Sequence, residues 1–299
     1  MAKRLVGQVA VVTGAGRGLG RSYAMALAAE GAAVVVNDKG TALNGTGTDQ
    51  SPAASVVAEI KAAGGKALAN YEDVSDFKAA GRIVEAAVKT FGRLDVMITN
   101  AGADRRGPIL DLEPEDWETT LRIHLFGSIN CAIQAGRVMR DQKSGSIIII
   151  TSSAFQPPAY PMRLAPYTVA KGGTYALMEA LSQELKPYGI SVNAISPGGR
   201  TRQTDNFFSV YVKAVAGLTE EQAEARMAAG PSPDLMGPLA VFLALPEGRK
   251  VTGKVFVIRR DLVGQLLPPI ESPIAVASSG TWDVDGLVSV LPRLVPPTM

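Results

Sequence analysis

The turn T-G-A-G-R-G-L-G, at residues 13–20, constrains the fold more than any other feature of this chain. It follows a short apolar run, V-A-V-V-T, which is typical of a buried strand, and it precedes an alanine-rich stretch of helical character. Glycine permits positive φ angles and close approach of the backbone to a ligand, and the amides that open the next helix face an anion. A strand, a glycine turn and a helix in this order favour a phosphate-binding βα unit over a plain tight turn.

The same alternation of strands and helices continues along the chain. Repeated βα units imply parallel strands, right-handed crossovers and helices on both faces of the sheet. We therefore predict an α/β fold, a single doubly wound domain of the Rossmann type over residues 1–267, with a seven-stranded parallel sheet. Ligands of such a sheet bind at the carboxyl ends of the strands. The strands after the first are predicted at residues 33–37, 66–70, 94–99, 147–150, 191–195 and 254–258.

Three segments interrupt this rhythm, and one helix is long. Residues 41–52 form a loop rich in glycine, threonine and serine, and residues 201–233 are a candidate substrate lid above the sheet. Residues 268–299 form a proline-rich tail that packs across the site, reaches a neighbouring subunit or is mobile. A long helical stretch is predicted over residues 113–140.

Asp38 stands at the tip of the second predicted strand. A carboxylate there is placed to accept hydrogen bonds from the ribose hydroxyls of an adenosine, and it would repel a 2′-phosphate. The pattern therefore favours NAD as cofactor and makes NADP the less favoured choice. Arg17 and Lys39 lie nearby in the sequence and keep NADP open, and a cap or turn carboxylate is the alternative interpretation of Asp38.

Tyr167 and Lys171 stand four residues apart in Y-T-V-A-K, one turn of a helix. An ammonium beside a phenol favours the phenolate, so this pair is expected to lower the tyrosine pKa toward the working range of a general acid/base. Taken alone, so short a pattern also fits a solvated helical turn. Its position behind a phosphate turn favours a proton-transfer role.

Bulk properties exclude several classes of function. A net charge of +2 gives no electrostatic argument for nucleic acid or a membrane surface. The single cysteine, Cys131, lies in an apolar helical run and is expected to be a packed core thiol. With no internal disulfide, no apolar leader and no span of transmembrane length, the expectation is a soluble, cytoplasmic protein that binds neither nucleic acid nor membrane.

In this order, T-G-x-x-x-G-x-G, N-A-G, a serine after the fifth strand, Y-x-x-x-K and P-G-x-x-x-T resemble the short-chain dehydrogenase/reductase family over residues 5–260. Within that family, V-V-V-N-D and I-H-L-F-G are most similar to the 3-hydroxyacyl-CoA dehydrogenase domain of peroxisomal multifunctional enzymes and its bacterial relatives. The resemblance implies an NAD(P)-dependent oxidoreductase, a small-molecule substrate such as a hydroxyacyl-CoA or a steroid, and a homodimer or homotetramer.

The resemblance also implies catalytic roles. Tyr167 is expected to exchange the hydroxyl proton, and Lys171 to lower its pKa and bind the nicotinamide ribose. A serine would hydrogen-bond the substrate oxygen; in the family it lies thirteen positions before the tyrosine, where this chain has Ala154. A one-residue insertion in residues 155–166 would restore the alignment and assign the role to Ser153, with Ser152 as the alternative.

The cofactor-binding residues are implied in the same way, and no metal site is predicted. Pro197, Gly198 and Thr201 would shape the nicotinamide pocket, while Asp73, Val74 and the N-A-G segment would line the adenosine side. The full set is Gly14, Arg17, Gly18, Leu19, Gly20, Asp38, Asp73, Val74, Asn100, Ala101, Gly102, Tyr167, Lys171, Pro197, Gly198 and Thr201.

Three questions stay open in the sequence. His124 stands where the family usually has an asparagine that supports the lysine, and a purely packing role is an equal alternative. Arg200 and Arg202 fit either an anionic substrate or a solvated loop. The competing functions are a non-catalytic nucleotide-binding regulator on the same fold and an epimerase or dehydratase, although such enzymes usually carry a larger carboxyl-terminal domain.

Overall fold

The computed structural model describes residues 3–155, 163–207, 219, 221–222, 225, 228, 230–267, 284 and 287–290. The chain divides into two compact units, Met1–Leu266 and Leu267–Met299. In the second unit Leu267 is irregular, and the other described residues, Val284 and residues 287–290, are helical. Much of the predicted lid, residues 156–162 of the loop before Tyr167 and the rest of the tail lie outside the described residues.

One sheet of eight strands organises the first unit. The strands are β1 Val9–Thr13, β2 Ala33–Asn37, β3 Lys66–Asn70, β4 Val96–Thr99, β5 Gly145–Ile150, β6 Ile190–Pro197, β7 Val255–Arg259 and β8 Leu262–Leu266. Their order is β3-β2-β1-β4-β5-β6-β7-β8, and the first seven are parallel. The chain order reverses at β1, which pairs with both β2 and β4, so a binding crevice is expected above β1 and β4.

The predicted class is confirmed, but the predicted number of seven strands is wrong. β8 pairs antiparallel with β7, with Arg259 opposite Leu262, so a tight turn of Arg260 and Asp261 joins them. This hairpin lacks the Asn-Gly or Gly-X turn that usually announces one in a sequence. The strand also lies at the sheet edge with most of its side chains exposed, and so it lacks the apolar pattern of a buried strand.

Helices cover both faces because strands such as V-A-V-V-T and I-I-I-I are apolar on both sides. On one face Leu27, Ile60 and Leu243 belong to one core, and on the other Ile83 and Met178 belong to a second. The α-helices whose full extent is described are α1 Gly18–Ala29, α2 Ser51–Ala62, α3 Phe77–Phe91, α4 Pro114–Leu121, α5 Gly127–Gln142, α6 Ala165–Leu185, α7 Arg202–Phe207 and α8 Gly237–Ala244. The first core packs with α1, α2 and α8, and the second with α3, α5 and α6.

The helix predicted over residues 113–140 is not continuous. A π-helical turn, Arg122–Phe126, separates α4 from α5. Such wide turns insert one extra residue and are frequent at functional sites. Immediately after it, a Cβ at Gly127 would lie 2.7 Å from Val74 Cγ2, so this glycine lets the helix pass close to the loop between β3 and α3.

Cys131 is fully buried in the second core, and burial raises the pKa of its thiol to about 12. It therefore packs as a small apolar residue, as the sequence predicted. Within the described ranges, none of the helices combines the length and the apolar character that crossing a bilayer requires.

Replacing Lys143 by glycine is expected to stabilise the fold. Lys143 caps the end of α5 with φ 56° and ψ 31°, a left-handed conformation that costs a side-chain-bearing residue about 1–2 kcal/mol. We expect the free energy of unfolding in urea to rise by about 1 kcal/mol. The matched control is Arg140→Gly, in the last turn of α5, which should lower it by about 1 kcal/mol. Equal changes in both variants would contradict this account.

Candidate active site

The glycine turn after β1 forms a compact backbone cradle. Gly14 and Gly18 have φ of +62° and +52°, and a Cβ at Gly20 would overlap the Gly14 carbonyl oxygen. Asn100, at the end of β4, donates from Nδ2 to the carbonyl oxygens of Thr13 at 2.9 Å and of Gly14 at 3.2 Å. The turn is thus fixed against the neighbouring strand, with the amides of α1 open at its mouth.

Asp38 is held in place by two backbone amides. Its Oδ2 accepts from the Gly16 amide at 2.8 Å, and its Oδ1 accepts from the Gly40 amide at 2.7 Å. The carboxylate therefore sits beside the glycine turn in a fixed orientation. Carbon at the Gly16 Cβ position would come within 2.8 Å of Oδ2, so this approach requires glycine at residue 16.

The basic neighbours of Asp38 are already paired with other carboxylates. Lys39 Nζ lies 2.8 Å from Asp73 Oδ2, and Arg17 Nη2 lies 3.5 Å from Asp49 Oδ2. Burial alone would raise the pKa of Asp73, but hydrogen bonds from Lys39 and Ser75 bring it below its ordinary value. Asp73 is therefore ionised at neutral pH and holds the Lys39 ammonium.

A cleft of about 360 Å³ opens above these groups, within the range of small-molecule sites. The structure brings to it most of the predicted cofactor residues, namely Gly14, Arg17, Gly18, Leu19, Gly20, Asp38, Asp73, Val74, Asn100, Ala101, Gly102 and Thr201. The cleft also has lining residues outside the predicted cofactor-binding set: Asn37, Lys39, Thr41, Gly45, Glu72, Ile123, Arg202 and Gln203.

Residues 41–50, here called the clasp, connect one wall of this cleft to the other. Arg202 of α7 donates to the Thr41 carbonyl oxygen at 3.3 Å. Further along, the Leu43 carbonyl accepts from the Asp104 amide at 2.8 Å, and the Asn44 carbonyl accepts from Arg105 Nε at 2.9 Å. Because the clasp makes these three contacts through backbone carbonyls, no side-chain pattern in the sequence could have announced them.

Lys171 is buried on α6, at the end of β5. Its Nζ donates to the Ile150 carbonyl oxygen at 2.5 Å, and burial lowers the pKa of its ammonium to about 7. Nζ lies 5.5 Å from the centre of the Tyr167 ring, one turn earlier on α6. The two side chains thus share one space, as their spacing predicted.

The expected direction of the Tyr167 pKa is wrong. Burial, its largest cause, raises the pKa above the ordinary value, and a hydrogen bond with Ser152 opposes that rise only in part. Spacing alone could not reveal this result, because it depends on α6 being packed against the sheet. The phenol is therefore the resting form of Tyr167 in this structure.

The two serines after β5 point to different partners. Ser152 hydrogen-bonds Tyr167, whereas Ser153 Oγ accepts from Arg259 Nη2 at 3.3 Å. The Ser153 amide in turn donates to Ser196 Oγ at 2.9 Å, which fixes it to the end of β6. The sequence preferred Ser153 for the catalytic role, and this geometry favours its alternative, Ser152. Side-chain direction in a turn cannot be read from an alignment, so counting residues could not separate the two.

His124 lies in the π-helical turn beside Tyr167. The two rings meet edge to face, 5.2 Å apart at 88°. His124 Nε2 lies 2.8 Å from the Ala103 carbonyl oxygen, and burial is the main cause that lowers the pKa of the ring to about 3. The imidazole is thus neutral and packs against the tyrosine. It also occupies the space above Gly102, where a Cβ would overlap Cε1.

An ion pair beside Tyr167 is formed by two residues that belong to none of the sequence motifs. Arg106 pairs with Asp104, and both side chains are largely buried. Arg106 Nη2 also donates to the Gln203 carbonyl oxygen at 3.2 Å, so the pair connects the segment after N-A-G to α7. Asp104 raises and Arg106 lowers the pKa of Tyr167, so their effects on the phenol oppose each other.

The segment after β6 borders the same site. The Gly198 amide donates to the Ile258 carbonyl oxygen at 2.8 Å, and the Thr201 methyl faces Gly18. Arg200 pairs with Asp205 at 2.8 Å, whereas Arg202 lines the cleft. The two arginines that the sequence treated alike therefore have different surroundings.

The chain is similar to known proteins over most of its length. The family described as short chain dehydrogenase matches residues 8–207. The peroxisomal hydratase-dehydrogenase-epimerase of Saccharomyces cerevisiae is 37% identical over 87% of this chain, but this chain spans only 27% of that protein. The hydroxyacyl-CoA dehydrogenase ChsB1 of Mycobacterium tuberculosis is 33% identical over 96% of this chain and 88% of its own length.

A solved structure agrees with the sequence comparisons. A short chain dehydrogenase from Mycobacterium avium superposes with a TM-score of 0.80 at 32% identity, covering 99% of this chain and 98% of its own. The family resemblance found in the sequence is thereby confirmed.

Proposed function

This chain belongs to the short-chain dehydrogenase family of oxidoreductases, and on that premise we propose that it interconverts a secondary alcohol and a ketone with NAD(H). The observation that carries this proposal is the group of Tyr167, Ser152 and Lys171, which His124 connects to Gly102 in the wall of the cleft. A bound nicotinamide would supply the hydride acceptor. The protein supplies orientation and proton transfer.

The proposed roles follow from the contacts of each side chain. Tyr167 gives or takes the hydroxyl proton at its Oη, and Ser152 donates a hydrogen bond to the substrate oxygen as charge develops there. Lys171 lies one helical turn from Tyr167, and with a pKa of about 7 it can be charged or neutral near neutral pH. His124 is neutral and serves to hold the Tyr167 ring, without a proton-transfer role.

The fixed carboxylate of Asp38 supports NAD rather than NADP. A ribose 2′-phosphate would meet that negative charge, while a free hydroxyl can donate to it. Lys39 and Arg17 are each engaged by another carboxylate, which weakens the case for a phosphate site there. The glycine cradle, whose crowding excludes any Cβ at Gly20, fits a pyrophosphate at the start of α1.

A 3-hydroxyacyl thioester is the proposed substrate. Support comes from the hydroxyacyl-CoA dehydrogenase that matches this chain over nearly its whole length. We further propose a homo-oligomer, with a catalytic domain over residues 1–267 and a substrate lid over residues 201–233. The proposed compartment is the cytoplasm, although several relatives carry the word peroxisomal in their names.

The direct test is oxidation of 3-hydroxybutyryl-CoA by the full chain with NAD, followed by the absorbance of NADH. We expect turnover with NAD and little with NADP. A panel of plain secondary alcohols and hydroxysteroids runs in parallel, so that another substrate class can be recognised. Failure of every alcohol in the panel would contradict the proposed function.

Ser152→Ala is expected to lower kcat by about 10²-fold, because removal of a donor to a developing oxyanion typically costs that much. Ser153→Ala, its matched control, should change kcat by less than about tenfold, since its hydroxyl accepts from Arg259 instead. Both are measured at saturating NAD with 3-hydroxybutyryl-CoA. A larger loss in Ser153→Ala would restore the assignment that the sequence preferred.

A further inference from the structure

We propose that Arg259 determines substrate specificity, by binding an acceptor oxygen that lies two carbons from the reacting carbinol. A thioester carbonyl and a free carboxylate both present such an oxygen. This inference rests on the proposed function and extends it, because it states which part of the substrate, besides the reacting hydroxyl, the site recognises.

Arg259 reaches the site by a path that glycine keeps open. It ends β7, and its side chain crosses directly over Gly198. A Cβ at Gly198 would lie 2.6 Å from Arg259 Cγ and 3.2 Å from Arg259 Cβ. Any side chain at residue 198 would therefore displace the Arg259 side chain. With glycine there, Arg259 packs over residue 198 and extends to the end of β5.

The guanidinium contacts the residue that follows Ser152, the hydrogen-bond partner of Tyr167. Arg259 Nη2 donates to Ser153 Oγ at 3.3 Å, and the preceding residue, Ser152, hydrogen-bonds Tyr167. The Cα atoms of consecutive residues are about 3.8 Å apart. Donors carried by neighbouring residues suit a ligand with two oxygens, such as those on the first and third carbons of one acyl group.

The charge of Arg259 is available to a ligand. Within the part of the chain that the structure describes, no carboxylate lies within 4.0 Å of this guanidinium, and its side chain is exposed. The other arginines near the site differ, because Arg106 pairs with Asp104 and Arg200 pairs with Asp205. Only one of the five N–H donors of Arg259 is engaged by Ser153.

These facts favour a bound acceptor over a purely structural role. A guanidinium offers a planar fork of donors that suits a carboxylate or a carbonyl oxygen. A hydrogen bond to a charged group commonly contributes a factor of about 10 to 100 in binding. A plain secondary alcohol lacks the second oxygen and would gain nothing from Arg259.

The test compares Arg259→Met with Arg260→Met, a substitution of the same kind at the next residue. For each, kcat/KM is measured with 3-hydroxybutyryl-CoA, with 3-hydroxybutyrate and with 2-butanol, and thermal unfolding checks the fold. We expect Arg259→Met to lose about 10- to 100-fold with one or both acyl substrates and less than about threefold with 2-butanol. Which acyl substrate suffers more distinguishes the thioester carbonyl from the carboxylate. No loss, or an equal loss with all three substrates, would overturn the inference.

Equilibrium binding gives a second readout that requires no turnover. Calorimetry compares acetoacetyl-CoA binding to the NADH complexes of Tyr167→Phe and of Tyr167→Phe with Arg259→Met. We expect the affinity to fall about tenfold or more in the double variant. Equal affinities, or no binding to either protein, would overturn the inference. Binding that depends on Arg259, in a protein that oxidises no alcohol, would contradict the proposed function and support the role of Arg259.

Discussion

Tyr167→Phe is expected to lower kcat by about 10²- to 10⁴-fold, the usual contribution of a positioned general acid or base. Affinity for NADH should stay within about threefold, because the lost hydroxyl contacts Ser152 and contributes nothing to the glycine cradle. The ring itself, with its edge-to-face contact to His124, is retained. Turnover is followed by the absorbance of NADH, and cofactor binding by fluorescence titration.

The matched control is Tyr175→Phe, two turns further along α6. It also removes a phenol hydroxyl from a partly buried tyrosine, and it should leave kcat within about twofold because it lies away from the reacting group. Retained turnover in Tyr167→Phe would contradict the mechanism. A parallel loss of NADH affinity would instead assign Tyr167 to the binding of the cofactor.

Asp38→Ser is expected to shift the preference between NAD and NADP by about 10²-fold or more toward NADP. A like charge placed against the 2′-phosphate costs several kcal/mol, and about 1.4 kcal/mol corresponds to a factor of ten. In the wild type the Gly16 amide donates to Asp38 Oδ2. The serine hydroxyl still offers this amide an acceptor, so the turn should keep its shape. The ratio of kcat/KM for the two cofactors is the measurement.

The control for Asp38→Ser is Asp49→Asn, a nearby exposed carboxylate that pairs with Arg17. Its removal frees Arg17 and should change the cofactor ratio by less than about threefold, since exposed pairs contribute little. If Asp49→Asn moved the ratio as far as Asp38→Ser, then Arg17 would be the residue that discriminates between the cofactors. A wild type that used both cofactors equally would contradict the preference for NAD.

The architecture was largely predictable because its signals are local. Strands that are apolar on both faces, such as β1 and β5, and a glycine turn between strand and helix predict parallel βα units without knowledge of any contact. β8 escaped prediction because an exposed edge strand has no apolar period, and because its turn uses Arg260 at φ 52° where glycine would be usual. The π-helical turn at His124 escaped because one inserted residue leaves the helical composition unchanged.

Most of the predicted cofactor-binding residues line the cleft, but the energetics of the candidate site were not predictable. Motif spacing selected Tyr167, Lys171 and the cradle glycines, but the direction of the Tyr167 pKa depends on burial that only packing creates. The orientation of Ser153 depends on Arg259, more than a hundred residues later in the chain. Arg106 likewise contacts the Gln203 carbonyl oxygen, which lies far along the chain in α7. Such long-range contacts leave no periodic trace in a sequence.

The contact between Gly102 and His124 has a consequence for sequence change. A Cβ at residue 102 would overlap the imidazole, so alanine is excluded there while histidine is present. The two positions are thus epistatic: a smaller side chain must first arise at residue 124 before residue 102 can gain one. If a side chain arose first at residue 102, it would clash with His124 beside Tyr167, and selection would remove that variant. Glycine is therefore required at residue 102, the last position of N-A-G, as long as histidine stands twenty-two positions further along the chain.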